Sequence, residues 1–442
     1  MLRTSSVLLR KFASEASKDV MRREYLYSAH NYHPLPVVFS RAAGVHVWDP
    51  EGRRYYDFLS AYSAVNQGHS HPRIVAALTK QAQTLALSSR AFYNDKLGEF
   101  AEFATKLFGF DMLLPMNTGA EGVETAVKLA RRWAYRVKKV PHDRAIIISA
   151  CGSFHGRTQT AMALSSDPSM VEDFGPLLPG VVKVEYNSLE SLEDCLKTYG
   201  SLAAGFIVEP IQGEAGVFVP DEGYIAKAKK LCQQHNVLFI ADEIQTGVAR
   251  TGKMLAVDHE GVKPDILILG KAVSGGLYPV SLVLCNTEIM LTIKPGEHGS
   301  TFGGNPLGCA VAKEALQVVL DEKLAEKSQR LGEMFRTELR NLKSPAISLV
   351  RGKGLLNAIV VDHDELAKTT GNTAWELCLL MASRGLLAKP THDHIVRLAP
   401  PLVITDEQLR ECVQIIKQSV EDLATIPREK IPNPEKGLFS QH

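Results

Sequence analysis

VLFIADEIQTGVARTGKMLAVDHEGVKPDILILGKAVSGG, residues 237–276, is the stretch that decides the fold. Two short apolar runs, 237–241 and 266–269, stop abruptly at Asp242-Glu243 and at Gly270-Lys271. Short apolar runs bounded by charge and turn signals read as strands buried on both faces of a parallel sheet. In an open α/β sheet the ligand lies beyond the carboxyl ends of the strands. Asp242 and Lys271 both emerge at that edge, one βαβ-sized step apart.

A carboxylate and an amine so placed suit pyridoxal phosphate. That cofactor takes a lysine as its Schiff-base partner and an acid on its pyridine nitrogen, so that the ring stays protonated and accepts electrons. An ordinary buried ion pair would use the same two residues. The rest of the chain decides between the two.

Upstream, residues 145–150 form another buried strand, and CGSFHGRT (151–158) follows its end. Phe154 there can stack on a flat ring, and Arg157 can grip a carboxylate through two parallel hydrogen bonds. Residues 206–208 are the next strand, ending in Glu209, with Gly213-Glu214 in the loop beyond. Earlier still, NTGAEGVETAVKLAR carries Thr118 and Glu121 at capping-box spacing. The first N–H groups of that helix, at Gly119 and Ala120, can hold a phosphate. Downstream, residues 279–285 read as a strand, and the glycine-rich EHGSTFGGNPLGC (297–309) offers Ser300 and Thr301 to a phosphate.

The ends of the chain have other rhythms. Residues 25–42, rich in Tyr, His and Pro, read as an extended arm containing Tyr32. Residues 45–58 read as a hairpin around 49–52, and Tyr62 precedes a polar loop whose His69 and His71 read as turn residues. Residues 306–342 read as one long helical connection. SLVRGKGLLNAIVV (348–361) and HIVRLAPPLVIT (394–405) then give three strands of a smaller α+β unit, with Arg397 at the end of the third and a helix from Thr405. The expected architecture is therefore α/β, a large unit with a mainly parallel sheet plus a smaller C-terminal α+β unit. The expected divisions are 1–16 (leader), 17–60 (arm and hairpin), 61–322 (large domain), 323–426 (small domain) and 427–442 (tail).

Composition excludes several classes. The 442 residues are 45% hydrophobic and 22% charged, ordinary for a globular protein. A net charge of +1 gives no electrostatic footprint for nucleic acid or an anionic membrane. No apolar run is long enough to span a bilayer. Seven cysteines, none in a CxxC pair, argue against a disulfide framework or a zinc site. The leader MLRTSSVLLRKFASEA has Arg3, Arg10 and Lys11 and no acid before Glu15, like a mitochondrial transit peptide.

Taken together, NYHPLPV (31–37), LPMNTGAE (114–121), ADEIQTGVARTGK (241–253), KAVSGGLYPVSLVL (271–284) and HGSTFGGNPLG (298–308) resemble the fold-type I pyridoxal-phosphate enzymes. Within them the chain is similar to the class III (ω-) aminotransferases, from about residue 25 to residue 426. NYHPLPV and the KAVSGGLYPV form are similar to the members acting on the δ-amine of L-ornithine. The resemblance implies pyridoxal 5'-phosphate, with 2-oxoglutarate as amino acceptor, at least a homodimer, and a mitochondrial matrix location. It implies that Lys271 carries the cofactor, Asp242 pairs with its ring nitrogen, Phe154 stacks on the ring and Gln245 lies near its phenolic oxygen. Gly119 and Ala120 would hold the phosphate, with Ser300 and Thr301 reaching it from the other subunit. Tyr32 and Arg157 would hold the α-amino-acid head of the substrate, with Tyr62 shaping the pocket, and Glu214 would pair with Arg397. The alternatives are an aminotransferase for acetylornithine or 4-aminobutyrate, an aminomutase of the same fold, and a catalytically silent scaffold.

Overall fold

The structure, a computed structural model, describes residues 14–433. Its centre is a seven-stranded sheet. The spatial order is Met112–Met116, Ser281–Cys285, Ile266–Leu269, Leu238–Asp242, Ala203–Val208, Ile146–Ala150 and Val181–Val184. Neighbours from Ile266–Leu269 to Val181–Val184 run parallel, whereas Ser281–Cys285 is antiparallel to both of its neighbours.

Every residue of the strands Ala203–Val208, Leu238–Asp242 and Ile266–Leu269 is buried. Alternate side chains explain why. Phe206, Phe239 and Leu267 pack into one apolar cluster, while Ile207, Ile240 and Ile268 pack into another on the opposite face. The second cluster includes Val123, Ala126, Val127 and Ala130 of the helix Gly119–Trp133. Gly122 lets that helix sit close to the sheet, since a Cβ there would stand 2.9 Å from Ile268 Cγ2.

The antiparallel sheet near the C-terminus has the order Ile347–Lys353, Leu356–Val361, Ile395–Leu398, Lys389–Thr391. Helices Leu324–Arg340, Ala374–Ser383 and Asp406–Leu423 accompany it. A third sheet joins chain segments that are far apart in sequence: the hairpin strands His46–Trp48 and Arg54–Asp57 continue through Leu386–Leu387, which runs parallel to Arg54–Asp57.

Several local expectations are corrected. Residues 25–27 close the helix Glu15–Tyr27, so the arm becomes extended only after it. The helix also takes in the last two leader residues, Glu15 and Ala16; residues 1–13 of the expected leader and 434–442 of the expected tail lie outside the described residues. The long connection is two helices, Pro306–Asp321 and Leu324–Arg340, broken where Lys323 adopts φ +51°. The step from Asp242 to Ile266 carries only a short 3-10 turn, Ala256–Glu260, where a βαβ unit would place an α-helix.

Candidate active site

The carboxyl ends of five strands converge on one edge of the large sheet. They deliver Asn117 after Met116, Phe154 after Ala150, Glu209 after Val208, Asp242 itself, and Lys271 after Leu269. Asp242 is 3% exposed. Its Oδ1 accepts from Ile244 N–H at 3.1 Å, and its Oδ2 lies 2.7 Å from His155 Nδ1. His155 is buried; burial opposes its charged form, but the hydrogen bond and charge of Asp242 outweigh that and raise its pKa. Its Nε2 has no partner among the described residues.

Lys271 opens a one-turn 3-10 segment with φ +45°, a strained conformation for a residue with a side chain. Its amine sits among Arg397, Asp242, Glu214 and Glu209. Burial first, and the Arg397 charge second, lower its pKa to about 8. Near neutral pH a minor but usable fraction of the amine is then neutral, far more than for an ordinary lysine. Capture of a carbonyl compound by this amine requires its neutral form. The uptake rate of pyridoxal phosphate by cofactor-free protein is therefore expected to rise about tenfold per pH unit at first and to level off above about 8. Stopped-flow absorbance across pH 6–10 checks this, and a profile still climbing at pH 10 contradicts it.

The opposite end of the site is a helix N-terminus. Thr118 and Glu121 form the capping box, with Thr118 Oγ1 accepting from Glu121 N–H and Glu121 Oε2 accepting from Thr118 N–H. That leaves the N–H groups of Gly119 and Ala120 without an acceptor among the described residues. A phosphate fits such a cradle. Ser300 accepts from Asn117 Nδ2 at 2.8 Å, which ties the glycine-rich loop to this helix start within one chain. Thr301 lies exposed beside it.

Between these ends lies the substrate side. Arg397, 4% exposed in its side chain, meets Glu214 through Nη1 at 2.7 Å and Nη2 at 3.4 Å, and its Nε has no partner among the described residues. The guanidinium stands 5.0 Å from the centre of the Tyr62 ring. Tyr62 belongs to a left-handed turn, residues 60–63, in which four successive residues have positive φ. Such a turn persists only where its surroundings hold it. Asp57 Oδ1 accepts from the N–H groups of Leu59 and Ser60, and Ser60 Oγ donates to Ala399 O. Gln245 Nε2 donates to Tyr62 O at 3.3 Å. Arg157 lies 5.7 Å from the Phe154 ring centre, and both Arg157 and the exposed Tyr32 are near enough to Tyr62 to influence its ionisation. Burial is the main cause of the raised Tyr62 pKa. His69 and His71 stand apart, paired with Asp57 and Glu322.

The structure thus brings the expected residues other than Ser300 and Thr301 to one region; those two, expected from the other subunit, stand by the helix start of their own chain. The donor set fits pyridoxal phosphate at three points: a buried lysine amine of lowered pKa, a buried acid, and a phosphate cradle whose two N–H groups lack acceptors among the described residues. His155, Glu209 and Asn117 belong to the same site without having been singled out. The signal for His155 was present in FHGRT, where the aromatic and the arginine drew the reading.

Residues 27–420 match the family model for aminotransferase class-III. The chain is 59% identical to ornithine aminotransferase, mitochondrial, of Drosophila melanogaster, over 92% of this chain and 93% of that one. A solved structure of ornithine aminotransferase from Toxoplasma gondii, with PLP in partial occupancy at its active site, superimposes with a TM-score of 0.89. It shares 46% identity, covering 94% of this chain and 96% of that one. Acetylornithine aminotransferase from Elizabethkingia anophelis gives 0.83 and 56% identity, over 92% and 99%.

Proposed function

The chain belongs to the class-III aminotransferase family, and from that premise we propose that it is an ornithine δ-aminotransferase dependent on pyridoxal 5'-phosphate. It transfers the δ-amino group of L-ornithine to 2-oxoglutarate, giving glutamate and glutamate 5-semialdehyde, which cyclises to pyrroline-5-carboxylate. The observation that carries the reading is the Glu214–Arg397 pair beside Lys271. It leaves one carboxylate grip, Arg157, open and a second masked.

Bound pyridoxal phosphate supplies the carbonyl carbon that holds the amino group and the electron sink that makes a neighbouring C–H acidic. Lys271 Nζ would hold the cofactor and, once released, take the proton from the δ-carbon of ornithine and return it to the cofactor side. Asp242, steadied by His155, would keep a negative charge against the ring nitrogen. Phe154 would cover the ring, and Gln245 would lie near its phenolic oxygen. Gly119 and Ala120, with Ser300 and Thr301, would hold the phosphate. Tyr32 and Arg157 would hold the α-amino-acid head of ornithine, with Tyr62 shaping the pocket, so that only the far amine reaches the lysine.

Glutamate must react at its α-carbon instead. Swinging Glu214 away from Arg397 would expose a buried guanidinium to glutamate's α-carboxylate. Glu214→Ala is expected to raise kcat/KM for α-amines relative to the δ-amine of ornithine by roughly 10- to 100-fold, the worth of a charge-assisted hydrogen bond. An unchanged preference contradicts the switch. The direct test of the substrate is product analysis with 2-oxoglutarate and either L-ornithine or N-acetylornithine. Turnover confined to N-acetylornithine would favour the alternative substrate, a reading supported by the similarity to the Elizabethkingia enzyme.

The working unit is a homodimer or larger homo-oligomer. In support, Leu85, Leu87, Phe92, Tyr93 and Phe302 are exposed around the loop that carries Ser300 and Thr301, and Leu307 N–H donates to Ala86 O to hold the two segments together. Sedimentation at micromolar protein is expected to give no monomer, and an active monomer would contradict the assignment. The location is the mitochondrial matrix, supported by the basic, acid-free start of the chain and by the Drosophila relative's name.

A further inference from the structure

We infer that Glu209 is a positioning residue for this reaction: it locks the loop that carries Phe154 to the loop that carries Glu214. The inference rests on the ornithine reading for its substrate arm. Glu209 follows the strand Ala203–Val208 and is 5% exposed. Its Oε1 accepts from Phe154 N–H at 2.8 Å, and its Oε2 accepts from Gly213 N–H at 3.2 Å. No cation touches it among the described residues, and a buried carboxylate without one is held only where its hydrogen bonds matter. Burial pushes its carboxyl up to about 7, with the nearby His155 acting against the rise.

The two loops meet at a second point, where Gln212 Nε2 donates to Cys151 O at 2.7 Å. The next residue leaves no slack, since a Cβ on Gly213 would fall 1.4 Å from Gln245 Oε1. Glu214 is then gripped from the antiparallel sheet, by Arg397 through its carboxylate and by Thr391 Oγ1 through its carbonyl. One carboxylate therefore connects the aromatic face of the cofactor site, the position of Gln245 and the masking of Arg397. A brace for stability alone would need no such convergence. Glutamate is also the residue type that can accept from both loops at once. Glutamine in its place would turn an N–H₂ group toward one of the two N–H donors.

The test compares full-length Glu209→Gln with wild type. Expected are a roughly tenfold weaker equilibrium affinity for pyridoxal phosphate and a roughly tenfold fall in the ratio of kcat/KM for L-ornithine to that for L-glutamate. The melting temperature of the cofactor-free protein should stay near that of wild type. A lowered melting temperature with affinity and ratio both within twofold of wild type would overturn the inference. Should Glu209→Gln fail to fold, Gln212→Leu removes only the second tie; both quantities should move in the same direction, by about threefold, and no movement would overturn the inference. Wild-type protein inert toward ornithine would contradict the functional reading instead, while the cofactor affinity would still decide the role of Glu209.

Discussion

Lys271→Ala should lower kcat by at least about 10⁴-fold while leaving the chain folded. Proton transfer by a positioned side chain contributes about 10²–10⁴-fold by itself, and in the proposed mechanism this lysine would also form the covalent attachment. Nothing nearby can replace it. Arg397, Asp242, Glu214 and Glu209 surround the amine; the arginine is paired with Glu214, and the other carboxylates are held by His155 and two backbone N–H groups. The amine makes no hydrogen bond that the fold depends on, and its backbone strain at φ +45° remains with alanine. Circular dichroism and melting should therefore stay close to wild type. Activity within a hundredfold of wild type would remove Lys271 from its assigned role.

Asp242→Asn should cost roughly 10³-fold in kcat, in the range found when a preorganised electrostatic partner is removed. Asparagine keeps the shape but loses the charge that would face the ring nitrogen. It also unsettles its own support, because the oxygen that now meets His155 Nδ1 must belong to a neutral amide. Asp242 raises the pKa of His155 against the penalty of burial, so the variant's imidazole should lose its proton more readily. That is measurable as an imidazole resonance that titrates at lower pH than in wild type. A variant with both wild-type kcat and an unshifted His155 titration would contradict the electrostatic role.

Much of this was legible before any coordinates. The buried strands announced themselves because short apolar runs ended at single charged residues, and the same ends placed Asp242 and Lys271. The capping box at Thr118 and Glu121 follows from local chemistry and forms as expected. Other features depend on contacts that local pattern does not encode. The pairing of Leu386–Leu387 with Arg54–Asp57 joins segments more than three hundred residues apart. The break at Lys323 lies inside a continuous helical periodicity, and the left-handed turn at residues 60–63 contains no glycine to signal it. Glu209 reads in sequence as the charge that stops a strand. Only the fold shows that its two oxygens face two different loops.

The most direct measurement is the absorbance of the purified protein, supplied with pyridoxal phosphate, as L-ornithine is added without 2-oxoglutarate. The account predicts a yellow band that bleaches on ornithine and returns on 2-oxoglutarate, with N-acetylornithine having little effect. Protein that is yellow yet indifferent to ornithine, or that bleaches only with N-acetylornithine, would contradict the assigned substrate. Protein that takes up no cofactor would contradict the whole reading of the site.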